Sequence, residues 1–184
     1  PYRGGNHDKV EFVGTGSTAF VRASSQYIDC GDVEELDLVT TDFTIAFWHK
    51  LGGLSGQGII GKGDIGDTLG GGAIEGWAID TTSSRPILHI KDTGYYHFGL
   101  DDYGSATIDD GWHHHCWTRT GTTTSFFLDG VYKSSRTRSD FSPIPTNIEP
   151  VKIGLGRYGY GNNSTKNMAI WTRLLTATEI QNVM

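Results

Sequence analysis

Trp112-His-His-His-Cys116-Trp117 is the stretch in which residue types and spacing come nearest to chemistry. On a strand, alternation places His113 and His115 on one face, and His114 on the other with Trp112 and Cys116. Two imidazoles on one face hold a metal only if a neighbouring strand adds a third ligand. Nothing local supplies one with a recognisable spacing. A catalytic reading needs a nucleophile or carboxylate partner, and the segment itself offers none. The expectation is therefore structural: imidazoles hydrogen-bonded to backbone or hydroxyl groups near the polar end of a buried sheet.

Other stretches offer binding rather than catalysis. GLGRYG, residues 154–159, has the spacing Gly-x-Gly-x-x-Gly, but no helix follows, so it is not a dinucleotide loop. Tyr158 and Tyr160 alternate with glycines, beside Arg157, Asn162 and Asn163. Flat aromatic faces to stack on sugar rings and amides to pair hydroxyls are what glycan binding requires. Tyr95 and Tyr96 with His97, and Tyr103, form a second aromatic and polar segment. Asn162 and Asn163 each open an N-x-S/T sequon. Asp64 and Asp67 lie in the glycine-rich KGDIGDTLGGG and are the candidate oxygen ligands for calcium, the one possible cofactor. Retaining glycoside cleavage needs two carboxylates about 5 Å apart. DVEELD, residues 32–37, lacks the alternation of a catalytic strand, and Asp101-Asp102 and Asp109-Asp110 sit in turn-like segments. Hydrolysis ranks below recognition.

The elements that must position these residues are short strands. The chain has 184 residues and 26 glycines, about twice the usual share, so it turns often. Strand-prone runs cover 10–13, 18–22, 26–30, 43–51, 58–63, 76–80, 86–92, 151–156 and 167–173. FTIAFWHKL, residues 43–51, is largely apolar on both faces and belongs in the middle of a two-layer sandwich. Asp129-Gly130 between TSFFL and VYK predicts a two-residue hairpin with positive φ at both positions. Thr176-Ala-Thr-Glu179 has capping-box spacing and predicts one short C-terminal helix.

Composition narrows the partners. With 36% hydrophobic and 20% charged residues the chain is neither disordered nor membrane-spanning, and no run approaches the ~18 apolar residues of a span. Net charge is −6, with no basic stripe for nucleic acid: Lys133, Arg136 and Arg138 are followed at once by Asp140. Two cysteines, Cys30 and Cys116, make no disulfide framework. PYRGGNHDKVEF has no secretory-type apolar core. It reads as a chain whose initiator methionine was removed ahead of Pro1, or as an excised domain.

In order along the chain, several motifs resemble laminin-G-like domains of the concanavalin A-like lectin/glucanase superfamily. They are QYIDCG (26–31), DFTIAFWHK (42–50), GIIGKGD (58–64), DGWHHHCWTRTG with FFLDGVYKSS, and WTRLLTATEI (171–180). The likeness covers roughly residues 20–184, with His115 where the family usually has valine. It implies an all-β, antiparallel jelly-roll β-sandwich over residues 21–184, preceded by an arm or extra edge strand over 1–20. It also implies a non-catalytic, lectin-like binding module acting in adhesion at a surface. Stand-alone domains of this kind also resemble accessory proteins of bacteriophage particles. The alternative expectation is thus a virion decoration protein that docks on a viral coat protein or self-associates, and cleavage of polysaccharide comes third. The compartment would be the virion surface, or extracellular for an excised domain.

Overall fold

The computed structural model describes residues 2–6, 9–12, 16–38, 42–53, 56–63, 76–82, 85–91, 96–97, 108–138 and 144–184. Among them, two antiparallel sheets pack face to face. The first sheet runs β1 (Tyr2–Asn6), β2 (Lys9–Phe12), β16 (Asn163–Trp171), β5 (Phe43–Leu51), β10 (Trp112–Thr120), β11 (Thr123–Leu128), β12 (Val131–Thr137), with β3 (Thr18–Ala19) also on β16. The second runs β4 (Ile28–Asp29), β13 (Val151–Ile153), β6 (Gln57–Lys62), β7 (Gly76–Thr82), β8 (Arg85–Lys91), β9 (Tyr96–His97). A small hairpin, β14 (Leu155–Gly156) and β15 (Gly159–Tyr160), stands apart from both. β2 pairs with β16 of the same chain.

Alternation puts Phe43, Ile45 and Phe47 of β5, Trp117 of β10 and Phe126 of β11 into the interlayer. There they meet Ile60, Trp77, Ile79, Leu88 and Ile90 of the second sheet. The outer face of β5 is buried as well, because the C-terminal helix α1 (Ala177–Asn182) closes over it. Ile180 and Leu175 cover Ala46, Cys116, Ala169 and Trp171. That double burial explains why both faces of FTIAFWHKL are largely apolar up to Trp48.

The helix begins where its capping box predicts. Thr176 Oγ1 accepts from Glu179 N, and the Glu179 carboxylate accepts from Thr176 N. Thr176→Ala removes a cap typically worth about 1 kcal/mol, and the urea midpoint should fall accordingly. The hairpin also forms as expected, with φ of 52° at Asp129 and 69° at Gly130. The run 18–22 is not one strand. It ends at Ala19, and a 3₁₀ turn, Arg22–Ser24, follows, closed by Ser25 in the left-handed region at φ 50°. The run 151–156 is not one strand either: β13 ends at Ile153, and GLGRYG carries the β14–β15 hairpin.

Candidate functional site

The three histidines occupy three environments. His113 lies at the rim, its Nδ1 2.9 Å from Asp129 Oδ2 and its Nε2 2.9 Å from Asp109 Oδ1. Burial works against its charge, but the two carboxylates outweigh that and raise its pKa. These partners correct the expectation that the segment offers no carboxylate: Asp109 comes from the preceding turn and Asp129 from the hairpin. His114 points to the opposite face, edge-on to Trp48 at 5.6 Å, and is held down to about 4 by burial. His115 is fully buried in a triangle of rings with Phe47 and Trp117, 5.7 Å from each, while those two lie 5.8 Å from one another. Neither of its ring nitrogens has a hydrogen-bond partner among the described residues, contrary to the expectation of backbone or hydroxyl bonds. Among the described residues no group of three or more His, Cys, Asp or Glu is arranged to hold a metal.

The cysteines are chemically quiet. Burial, then the Asp29 charge, raises the Cys30 thiol to about 11, and burial raises Cys116 further. Cys30 packs against the interlayer and Cys116 lies under the helix, so neither is poised as a thiolate nucleophile.

Chemistry-bearing side chains converge on the outer face of the second sheet. In β7, Ala78 and Asp80 point away from the interlayer, opposite Trp77 and Ile79; in β8, Ile87 and His89 do the same. The β14–β15 hairpin lies across this face. Asp80 is fully buried beneath it and accepts hydrogen bonds from Tyr158 N (3.1 Å) and Arg157 N (3.2 Å). Burial pushes its carboxyl up to about 7, although these two bonds and the Arg157 charge pull the other way. His89 Nε2 lies 3.6 Å from Asp80 Oδ2, and its ring stands edge-on to Tyr158 at 5.4 Å. The Arg157 guanidinium sits 5.7 Å from the Tyr158 ring centroid and 3.5 Å from His89 Nδ1. Arg22 donates to the Tyr158 carbonyl at 3.2 Å. Tyr27, 42% exposed, lies 6.1 Å from Tyr160.

Of the residues singled out from sequence, Arg157, Tyr158 and Tyr160 therefore meet on one surface, each half-buried. Asn162 and Asn163 follow directly but use their amides internally. Asn162 Nδ2 donates to Gly52 O, and the buried Asn163 donates to Gly58 O. Tyr96, in β9, pairs with Lys91 of β8. Tyr95, Tyr103, Asp64 and Asp67 lie outside the described residues. Sequence reasoning missed Asp80, His89, Arg22 and Tyr27. The signal for the first two was there: a lone acid in GWAID and a lone histidine in PILHIK, each interrupting an apolar strand.

Residues 22–181, most of the chain, match the Laminin_G_3 family of the Concanavalin A-like lectin/glucanases superfamily. The chain belongs to this family. No curated protein matches the sequence. The Laminin_G_3 chain is similar in structure to the binding domain of Paraclostridial Mosquitocidal Protein 1 (TM-score 0.65, 17% identity, 99% of this chain and 50% of that one). It is also similar to the binding domain of botulinum neurotoxin serotype G (0.68, 17%, 96% and 44%). A third likeness is to a structure reported under the statement that cell entry of botulinum neurotoxin type C depends on interaction with two ganglioside molecules (0.61, 15%, 85% and 39%). At these identities the likeness is one of fold, and the Laminin_G_3 chain spans half or less of each of those chains.

Proposed function

We propose that this Laminin_G_3 chain is a non-catalytic glycan-binding module whose ligand surface is the β14–β15 hairpin with the residues flanking it. The observation that carries the reading is the construction around Tyr158: a half-buried aromatic ring braced by His89 and Arg157, on a backbone fixed by the enclosed Asp80 carboxylate. Rigid aromatic faces with guanidinium and hydroxyl groups at their edges suit sugar rings, and bracing them beforehand lowers the cost of ordering on binding. Tyr27 and Tyr160 extend the aromatic surface, and Arg22 adds a second guanidinium. Asp80 suits anchoring rather than proton transfer, since both oxygens accept backbone N–H bonds under the hairpin. The dependence of type C neurotoxin entry on gangliosides, in a chain of similar fold, supports the choice of ligand class.

A glycan array with the purified chain, with and without calcium, tests the reading. Selective binding should fall at least about tenfold in the Tyr158→Ala, Tyr160→Ala double variant, equivalent to losing about 1.4 kcal/mol. Binding that survives the double variant overturns the placement of the site. Binding lost only on chelation moves it to Asp64 and Asp67. No binding to any glycan overturns the ligand class.

A further inference from the structure

His49 of β5 and His115 of β10 face each other inside the sandwich. Both are fully buried, with ring centroids 5.3 Å apart. None of their four ring nitrogens has a hydrogen-bond partner among the described residues. Phe47 and Trp117 stack on His115, Phe47 also meets His49 edge-on, and Phe126 lies 6.0 Å from His115. We propose that this pair is an acid-labile latch: with no acceptor for an added proton, protonation of either ring opens the two sheets at this end.

The charged surroundings bear this out element by element, among the described residues. On β10 the nearest titratable groups are His113, itself held by Asp109 and Asp129, and His114 on the opposite face. On β16, Thr165 stands opposite His49 in register. From β11 come Phe126 and Leu128, and from β7 and β8 come Trp77, Ile79, Thr81, Leu88 and Ile90. Arg119 is four residues along β10 from His115, about 13 Å. Lys62, with Asp37, is five residues along β6 from Gln57, which joins Asn163 at the histidine end. The carboxylates on this side, Asp109 and Asp129, are engaged by His113, the register partner of His49; among the described residues none pairs with either buried ring, and two imidazolium rings would repel each other.

The sign follows from proton counting. Burial, and then the His113 charge, holds His49 down to about 3; burial with His49, His113 and His114 holds His115 well below its ordinary value. Unfolded, both titrate near 6.5. Their contribution to stability is therefore full above about pH 6.5 and is lost as pH falls, each ring lowering the folding constant up to about tenfold per pH unit. His114, held near 4, acts in the same direction. Asp80, held near 7, takes up its proton in the fold and acts in the opposite direction. His113, raised, favours the fold below neutrality but adds no slope below about pH 6.5, where it is charged folded or unfolded. Among the described residues, three such groups against one leave a fall of up to about a hundredfold between pH 6 and pH 5.

Urea denaturation from pH 7.5 to pH 5, followed by tryptophan fluorescence, reads this directly. The wild-type folding constant should fall by up to about a hundredfold between pH 6 and pH 5, while His49→Phe with His115→Phe should leave it nearly flat. Deuterium exchange at the imidazole C2–H, followed by mass spectrometry on the wild type, needs no variant to fold. It should show His49 and His115 neutral and protected in the folded protein at pH 6. Titration of either ring near 6.5 within the folded protein, or a flat wild-type profile, overturns the proposal.

Discussion

Lys62→Met is expected to destabilise the fold by about 3–5 kcal/mol at neutral pH, the usual cost of removing one partner from a buried ion pair. The Lys62 side chain is fully buried. Its ammonium donates to Asp37 Oδ1 at 2.6 Å, Asp32 Oδ1 at 2.8 Å and the Asn147 carbonyl at 2.9 Å. These three acceptors tie two connections to β6: the one carrying the 3₁₀ turn Glu34–Leu36, and residues 144–150. Without the ammonium, the buried Asp37 carboxylate keeps, among the described residues, a 3.4 Å contact from Asn147 N. Asp32 is 45% exposed and loses less, because water screens it. Urea denaturation should show a lower midpoint with an unchanged m-value. Adding Asp37→Leu should recover a large part of the loss, since the penalty lies in the stranded charge rather than in the absent attraction. A single-variant loss below about 1 kcal/mol would mean that the pair behaves like a surface ion pair.

Legibility in the sequence followed the range of the interaction. The hairpin at Asp129-Gly130, the capping box at Thr176–Glu179 and the doubly apolar β5 rest on neighbours a few residues apart, and each was readable. The sandwich itself was indicated by many short strands with glycine-rich turns around the doubly apolar β5, and the ordered likeness of whole strands to a family gave it its class. Long-range contacts were not readable. Asp80 binds backbone 77 and 78 residues away. The alternation of His113, His114 and His115 gave their faces correctly but not their partners, because Asp109 and Asp129 reach His113 through turns. Alternation also could not show that His49 would meet His115, since that depends on the register of β5 against β10. Nor could the glycines of GLGRYG show that the backbone at Gly156 would lie against Gly58.

That close approach carries the second large effect. Gly58→Val should detach the β14–β15 hairpin from the outer face of the second sheet, at a cost of about 3 kcal/mol, the upper part of the range for overpacking. Even the first added carbon has no room: a Cβ at Gly58 would stand 2.0 Å from Gly156 N, 2.3 Å from Gly159 O and 2.6 Å from Leu155 C. All three are backbone atoms, so no rotamer change relieves the clash. The φ of Gly58 is not in the left-handed region, so space alone requires glycine here. Gly159→Ala makes the contrast, because its added carbon meets nothing within 4 Å and its φ of 88° imposes backbone strain only. Asp80 reports which of these occurs. In the wild type, burial under the hairpin holds its carboxyl near 7, so its contribution to stability is full below about pH 3.8 and is lost as pH rises through 7. Lifting the hairpin admits water, and the Asp80 carboxyl carbon, followed by NMR, should then titrate in the ordinary carboxylate range. Glycan binding should fall as far as in the Tyr158, Tyr160 double variant, because both tyrosines ride on the hairpin. A Gly58→Val protein in which Asp80 still titrates near 7 would show that the hairpin tolerates a side chain beneath it. Close approach would then not be the reason for the glycine, and the fixed backbone behind Tyr158 would need another cause.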